Sequence, residues 1–129
     1  MSGDARLYID YLAHEGYRPT TDADGDVEFH YEGGYYYIDI ETSDANYFQL
    51  VYPSFWRIES DEEFARAILA ANEATRKTKV AKVYLRSDQK NTSASIEIFF
   101  ERPEQFKPVF HRSMRALKAA VDNFVSAMR

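Results

Sequence analysis

Residues 60–77, SDEEFARAILAANEATRK, decide the fold, because they form a complete helix with strand-like sequence on both sides. Ser60 and Glu63 make a capping box, in which each side chain accepts a hydrogen bond from a free backbone N–H at the helix start. Acidic residues in the first turn and basic residues in the last turn complement the helix dipole. A narrow, alanine-rich stripe recurs at helical spacing and is predicted to lie against a sheet. The residues of this stripe are Phe64, Ala67, Ile68, Ala71 and Thr75.

The composition is that of a folded protein, and we expect residues 1–129 to form a single domain. Hydrophobic residues make up 45% of the 129 residues and aromatic residues 16%, so the chain can bury a core without metal ions or disulfides. The absence of cysteine excludes disulfide bonds, thiolate zinc sites and a cysteine nucleophile. No cofactor-binding motif is visible, so we expect no cofactor.

The charge and the apolar runs indicate which partners to expect. The N-terminal residues carry charges where a signal peptide needs an apolar run. No apolar stretch approaches the roughly 20 residues that span a bilayer. We therefore expect a soluble, cytoplasmic protein with no membrane partner. The net charge of −5 argues against a nucleic-acid partner, because neutralising phosphates supplies most of that affinity.

A first helix and a last helix flank the strand-like sequence. Residues 4–15 are predicted to form the first, ended by Gly16, which can adopt the left-handed conformation that a helix end favours. Residues 106–128 are predicted to form the last, with the strongest helical periodicity of the chain. Pro108 fits this helix only in its first turn. Leu117 lies on its apolar stripe and is expected to be nearly fully buried.

Alternating apolar and polar residues predict five strands. Residues 32–34 (EGG) form a tight hairpin turn, and residues 42–45 form the next turn. Pro53 is expected to end the third strand, because proline cannot donate to the ladder. Ile98, on the fifth strand, is expected to be nearly fully buried. The residues predicted to face the helices are Val27, Phe29 and Tyr31; Tyr36, Ile38 and Ile40; Phe48, Leu50 and Tyr52; Ala81, Val83 and Leu85; and Ala94, Ile96, Ile98 and Phe100.

The order helix, three strands, helix, two strands, helix predicts an α+β fold. In this fold three helices pack on one face of a five-stranded antiparallel sheet. The other face is left for solvent or for a partner.

Segments along the whole chain are similar to those of one known family. They are residues 11–17 (YLAHEGY), 25–33 (GDVEFHYEG), 46–50 (NYFQL), 70–73 (AANE) and 79–83 (KVAKV), together with the closing aromatic helix. These segments resemble the bacterial YbjN-like family, also called sensory transduction regulators, whose fold is similar to that of type III secretion chaperones.

The resemblance implies a strand order of 1-2-3-5-4 and a chaperone- or adaptor-like function. It implies a homodimer that binds a protein partner, such as an extended polypeptide. The family pattern contains no catalytic residue to carry over, so the resemblance implies a protein that is not an enzyme.

The residues themselves also predict neither a metal site nor an enzyme. Asp22, Asp24 and Asp26 cluster around Gly25, but a calcium loop has glycine directly after its third acidic ligand, where this chain has Val27. We interpret the cluster as an acidic turn. The histidines, His14, His30 and His111, lie on different elements without metal-type spacing and are expected at the surface. No nucleophile motif is present.

The face of the predicted sheet turned away from the helices is unusually aromatic. Tyrosine is favoured at interfaces, because its ring supplies contact area and its hydroxyl tolerates water. We therefore predict a partner-binding surface there, although cross-strand aromatic pairs that only stabilise the sheet would give the same pattern. The predicted contact residues are Tyr35, Tyr37, Tyr47, Val51, Tyr84 and Phe99.

A ligand-sensing domain is the alternative from another class of function. It would hold a small ligand between the sheet and the helices, in a pocket lined by aromatic rings. The residues predicted to line this pocket are Tyr31, Tyr52, Phe55 and Trp56.

The fourth predicted strand carries basic residues that affect how the chain can self-associate. Lys79, Lys82 and Arg86 would discourage open-ended strand pairing if this strand lies at a sheet edge. Self-association is then expected to stop at a closed two-fold homodimer.

Overall fold

The computed structural model describes residues 3–40 and 43–129. Its helices are α1 (Gly3–His14), α2 (Asp61–Lys77) and α3 (Phe110–Met128), and a 3₁₀ segment, Pro103–Val109, precedes α3. Its strands are β1 (Thr20–Thr21), β2 (Val27–Tyr31), β3 (Gly34–Ile38), β4 (Tyr47–Arg57), β5 (Ala81–Leu85) and β6 (Asn91–Phe99). Residue 42 of the turn predicted over 42–45 lies outside the described residues.

The strands form one antiparallel sheet in the order β1-β2-β3-β4-β6-β5. This confirms the α+β class with three helices, and the order of the five predicted strands is as expected. The predicted number of strands is wrong, because the sheet has six. The additional strand is β1, in which Thr20 pairs with Glu28 and Thr21 with Val27. Its two exposed threonines show no alternation, so only the pairing reveals the strand.

The chain forms two compact units. The first consists of Met1–Val51 and Glu97–Phe110, and the second of Tyr52–Ile96 and His111–Arg129. The prediction of a single domain stays a prediction.

Aromatic rings build the core of the first unit around Phe106, which is fully buried in the 3₁₀ segment. Its ring centre lies 4.6 Å from that of Tyr8 and 5.0 Å from that of Tyr11, both on α1. It lies 5.7 Å from the Phe48 ring on β4. The contacts with Tyr8 and Tyr11 are edge-to-face and the contact with Phe48 is stacked, and both geometries stabilise beyond the area that they bury. Phe106 therefore ties α1 to β4.

Two glycine-containing turns of the first unit are as predicted. Gly16 has φ 95°, and the next residue, Tyr17, donates its N–H to Leu12 O at 2.9 Å, as in a Schellman helix end. Between β2 and β3, Glu32 and Gly33 have φ 49° and 81°, and two positive values in succession are the requirement of a type I′ hairpin.

Pro53 does not end β4, and this prediction is wrong. The strand continues to Arg57, with an irregular point in its extended backbone at Ser54, the residue after Pro53. Ser54 has φ 52° and donates its N–H to the Ser93 hydroxyl at 3.1 Å. An irregular point of this kind accommodates a residue without an N–H inside a strand.

Helix α2 begins in the second unit at the predicted cap. The Ser60 hydroxyl accepts from the Glu63 N–H at 3.1 Å, while the Glu63 carboxylate accepts from the Glu59 N–H at 3.0 Å. The return bond of the capping box thus reaches one residue further back than predicted. Both bonds satisfy backbone donors that the helix start would otherwise leave free.

The buried face of α2 is made of alanines and differs in part from the predicted stripe. Ala67 and Ala71 are buried as predicted, and Ala70 and Ala74 join them. Phe64 is half-buried and Thr75 is exposed, while Ile68 is 49% exposed. The prediction is wrong for Ile68, while Phe64 is only partly covered and Thr75 contacts the sheet through its hydroxyl group. The helix is rotated so that its smallest side chains point inward, which allows the backbone to approach its neighbours closely.

Thr75 has a different role at the edge of the sheet. β5 is an edge strand, as the fourth predicted strand was expected to be. The Thr75 hydroxyl accepts from the Val83 N–H at 2.8 Å and donates to Val83 O at 3.3 Å. It therefore occupies backbone groups that an incoming strand would use, in addition to the protection expected from the basic residues.

Helix α3 closes the second unit. Leu117 is fully buried on it, as predicted, and Pro108 lies before its start, in the 3₁₀ segment. Two polar contacts join it to α2. Asn123 Nδ2 donates to Thr78 Oγ1 at 2.9 Å, and Arg66 Nη1 donates to Met128 O at 3.2 Å.

Six residues predicted to face the helices are not fully buried. They are Tyr31, Ile40, Tyr52, Leu85, Ile98 and Phe100. The prediction that Ile98 is nearly fully buried is therefore wrong. Ile98 and Leu85 stand at or near strand ends, and Ile40 and Phe100 lie beyond them, where alternation continues although the covering elements stop.

Replacing Leu117 with alanine is expected to destabilise the protein by about 2–5 kcal/mol, because it removes buried apolar surface and leaves a cavity. Equilibrium denaturation measures this change. Ala116→Gly on the same helix is a control for the helical backbone, and it is expected to cost roughly 1 kcal/mol. A loss at Leu117 no larger than this control contradicts the burial.

Candidate functional site

The aromatic residues predicted as a contact surface fall into both units. Those of the first unit that remain accessible, Tyr35, Tyr37, Tyr47 and Phe99, are called the outer patch. Tyr35 and Tyr37 lie on β3, Tyr47 on β4 and Phe99 on β6, and the three tyrosines are half-buried. Phe99 is 77% exposed.

The Tyr35 ring is held in place by an acidic neighbour. Its hydroxyl donates to Glu28 Oε2 on β2 at 2.7 Å, and Glu28 Oε1 accepts from the Thr20 hydroxyl on β1 at 3.1 Å. The hydrogen bond to the carboxylate raises the pKa of Tyr35, so the phenol stays neutral. This chain of bonds links the three neighbouring strands β1, β2 and β3 and holds the ring in place.

Tyr47 is fixed in the same way. Its hydroxyl donates to Glu97 on β6, and its ring centre lies 5.6 Å from that of Phe99. Phe99 has an aromatic neighbour on one side, yet most of its surface faces solvent. It is therefore the most accessible apolar group of the outer patch.

Val51 does not belong to this surface. It is fully buried, so it cannot contact a partner, and the prediction for this residue is wrong. It pairs with Tyr37 across β3 and β4, where opposite side chains lie about 4.5–5.5 Å apart. A short side chain beside larger rings is covered by them.

Tyr84 lies in the second unit, on β5, and is half-buried. Lys82 Nζ lies 5.6 Å from its ring centre, which is within the range of a cation–π contact. Tyr84 pairs with Ser93, and Lys82 pairs with Ser95. Both serines are fully buried, which alternation alone does not predict for this side of a strand.

Acidic residues lie in or next to the strands that carry the outer patch. Glu28, Asp39 and Glu97 alternate with the buried residues of their segments, and His30 is the basic group of β2 and β3. The His30 ring lies 5.5 Å from the Tyr35 ring. The segments that carry the outer patch therefore combine aromatic rings with acidic side chains.

The predicted pocket residues also divide between the units. In the first, Tyr31 is 39% exposed, and its ring lies 5.5 Å from that of Tyr17. In the second, Tyr52, Phe55 and Trp56 are half-buried on β4. Phe55 and Trp56 pack edge-on against Phe124 of α3, with ring centres 5.4 and 5.6 Å away.

Two buried polar atoms near these rings make no hydrogen bond within the described part of the chain. They are Trp56 Nε1 and Thr92 Oγ1. The Ile58 N–H donates to Lys90 O at 2.7 Å just beyond the ends of β4 and β6, and this register continued into the two antiparallel strands would pair Trp56 with Thr92. Buried polar groups in folded proteins normally have a partner. Sequence reasoning identified Trp56 and missed Thr92, whose only signal is a polar residue in phase with Ala94 and Ile96.

A cleft of about 230 Å³ opens at the start of α2 in the second unit. Its lining does not include the four predicted pocket rings. It is formed by Ile58, Glu59, Ser60, Asp61, Phe64, Asp88, Gln89 and Lys90.

The acidic turn brings Asp22, Asp24 and Asp26 together, with one carboxylate oxygen of each within 4.8 Å of the others. Asp22 Oδ1 accepts from the backbone N–H groups of Asp24 and Asp26 at 2.9 and 3.0 Å. Asp26 Oδ1 accepts from the Ile40 N–H at 2.8 Å. These bonds make the Asp22 and Asp26 carboxylates part of the turn structure, and the absence of a metal site stays a prediction.

The pKa of Asp26 is raised from 3.8 to about 6. Burial is the largest cause, and the hydrogen bond and charge of Asp39 and the charge of Asp22 add to it. The Ile40 N–H lowers the pKa in part. The three histidines are exposed, as predicted.

Comparisons with known proteins give the fold alone. No family model matches the chain, and no curated protein matches it. One solved structure, an uncharacterized protein from Methanothermobacter thermautotrophicus, matches with a TM-score of 0.58 and 12% sequence identity, over 97% of this chain and 94% of that chain. The resemblance to the YbjN-like family therefore stays a prediction.

Among the described residues, none of the helices is both long enough and apolar enough to cross a membrane.

Asp26→Asn is expected to raise the melting temperature at pH 8 and to have little effect at pH 4. Because the folded pKa of about 6 lies above the ordinary value of 3.8, stability from this group is fully present below the lower value and is lost as pH rises through about 6. Asparagine keeps an oxygen for the Ile40 N–H but carries no charge.

Thermal melts of both proteins across this pH range measure the difference. Asp24→Asn, at an exposed position of the same turn, is the control. A gain for Asp26→Asn that does not vary with pH would contradict the role of ionisation.

Proposed function

We propose that this chain is a non-enzymatic, cytoplasmic protein-binding module, chaperone- or adaptor-like, which binds a partner polypeptide and self-associates as a homodimer. The YbjN-like resemblance implies the same role. The proposal includes three helices on one face of the sheet, with the outer patch on the other. The observation that carries it is the 77% exposure of Phe99 beside Tyr47, whose hydroxyl is fixed by its hydrogen bond to Glu97.

The fixed rings support binding, because ordering side chains is a cost of association. An immobilised, rotamer-rich side chain costs roughly 0.5–1.5 kcal/mol when a complex forms. Tyr35 and Tyr47 already donate to Glu28 and Glu97, so much of this cost has been met during folding. Exposed aromatic groups in such a setting are typical anchors of an interface.

The charges support a particular partner. Glu28 and Glu97 each contact a tyrosine of the outer patch, and Asp39 follows β3, so an extended segment with basic and aromatic or aliphatic side chains fits it best. Basic side chains would approach the carboxylates, while an apolar side chain would cover Phe99.

Selection from a random peptide library tests this function. We expect the selected peptides to be enriched in lysine or arginine together with apolar residues, and their binding to weaken as salt rises. Phe99→Ser is expected to weaken binding by about tenfold or more, the size expected for an interface anchor. Its exposure predicts unchanged folding.

Val80→Ser is the matched control, since Val80 is 64% exposed and is not one of the residues of the outer patch. Equal loss of binding in both variants, or selection of acidic peptides, contradicts the proposal. Failure to select any peptide above background contradicts it as well.

A ligand-sensing function is the second candidate, and it is favoured by the unpartnered Trp56 Nε1 and Thr92 Oγ1. A small polar ligand with both an acceptor and a donor would satisfy the two atoms. A buried water is the rival explanation.

The variant Thr92→Val distinguishes a bound ligand from a buried water. It removes a buried hydroxyl without a partner, so it is expected to leave stability equal or to raise it. Trp56 is the single tryptophan, so its fluorescence reports on the site directly. A metabolite mixture that shifts this fluorescence in the parent and not in Thr92→Val supports the sensor, and no shift in either protein contradicts it.

A further inference from the structure

Helix α2 carries apolar side chains in the middle of its exposed face. Leu69 is 72% exposed and Ile68 is 49% exposed, and Ala65 is exposed beside them. Residues three and four apart on a helix are neighbours, so the three side chains are contiguous. Ala67 and Ala71 stand two residues before and after Leu69, roughly 200° around the helix in either direction. Leu69 therefore points directly away from the buried alanine face.

Opposite charges stand at the two ends of this face. Glu62, Leu69 and Arg76 are spaced at seven residues, which is nearly two turns, so they form one line along the helix. All three are exposed. Asp61 lies beside the acidic end of this line and Lys77 beside its basic end.

The acidic end of this face carries a net negative charge. Among the residues that the structure describes, Asp61 and Glu62 make no ion pair, whereas one carboxylate, that of Glu73, serves both Arg76 at 2.7 Å and Lys77 at 3.0 Å. The basic end therefore also keeps an excess of one positive charge. The face is negative at one end, apolar in the middle and positive at the other.

We propose that this face binds a second copy of the chain, with the two α2 helices antiparallel and the two Leu69 side chains meeting at a two-fold axis. The residue seven positions before Leu69 in one helix then faces the residue seven positions after it in the other. Glu62 thus meets Arg76, and one position further out Asp61 meets Lys77. Each pairing occurs twice, because a two-fold interface repeats every contact.

The same face is unsuited to parallel pairing. Two parallel helices in register would bring Glu62 against Glu62 and Arg76 against Arg76, and like charges disfavour such a contact. The charge pattern therefore selects the antiparallel arrangement, in which helices pack at about +20° like those of a coiled coil.

This inference rests on the self-association in the proposed function and assigns it to α2 instead of the sheet. The two surfaces are tested by different residues. A substitution of Phe99 that abolishes peptide binding is expected to leave the dimer intact. A substitution on α2 that abolishes the dimer is expected to leave the outer patch intact.

Sedimentation equilibrium of the full chain measures the proposed dimer. We expect twice the chain mass at roughly millimolar concentration, where weak contacts are occupied. Leu69→Asp is expected to give the monomer with unchanged circular dichroism, because this side chain is exposed. Phe99→Asp and Val80→Asp, at residues 77% and 64% exposed, are the matched controls and are expected to stay dimeric.

Charge exchange tests the register. Glu62→Arg and Arg76→Glu are each expected to raise the dimer dissociation constant by about tenfold at low salt, since each replaces two attractions by two repulsions. The double variant restores opposite charges and is expected to return close to the parent value. A parent that is monomeric throughout would overturn the proposal. So would a dimer that Leu69→Asp leaves intact, or a double variant no better than its single variants.

Discussion

The second unit depends on one constraint: the buried face of α2 consists of alanine side chains. Ala67, Ala70, Ala71 and Ala74 form its inward face. Alanine adds no bulk beyond its methyl group and loses no side-chain entropy on burial, so the helix can pack closely. Its longer apolar side chains, Ile68 and Leu69, then have no place inside and stand on the outer face.

The same close packing explains how the edge of the sheet is protected. A threonine hydroxyl reaches only a short distance from its backbone, yet Thr75 Oγ1 lies 2.8 Å from the Val83 nitrogen. A helix held further away by larger side chains would leave the N–H and C=O of Val83 open to a strand from another molecule. Self-association through the helix face is compatible with this blocked edge.

On the sheet of the first unit, acidic residues and tyrosines depend on each other. Glu28 and Glu97 each accept from a tyrosine hydroxyl, and hydrogen bonds to a charged acceptor are stronger than neutral ones. The carboxylates gain donors and the rings gain fixed positions. This arrangement stabilises the cross-strand pairs, and the proposed contact surface would use rings that folding has already fixed.

The sequence by itself determined the elements whose signals are local. The Ser60 cap, the Gly16 helix end and the positive φ at Gly33 depend on hydrogen bonds and sterics within a few residues. Alternation likewise identified buried residues inside the strands, such as Phe29, Tyr36 and Ile96. The three aspartates of the acidic turn were recognised as a turn for the same reason.

Only the tertiary structure decided what depends on distant neighbours. Thr20–Thr21 is a strand because Glu28 and Val27 lie beside it, and Pro53 stays within β4 because the irregular point at Ser54 accommodates it. Val51 is buried and Ile98 is not, although both obey the alternation equally well. The rotation of α2 that placed Leu69 outside was invisible for the same reason. A pattern fixes which residues share a face, whereas the packing of separate segments decides how much of that face is covered.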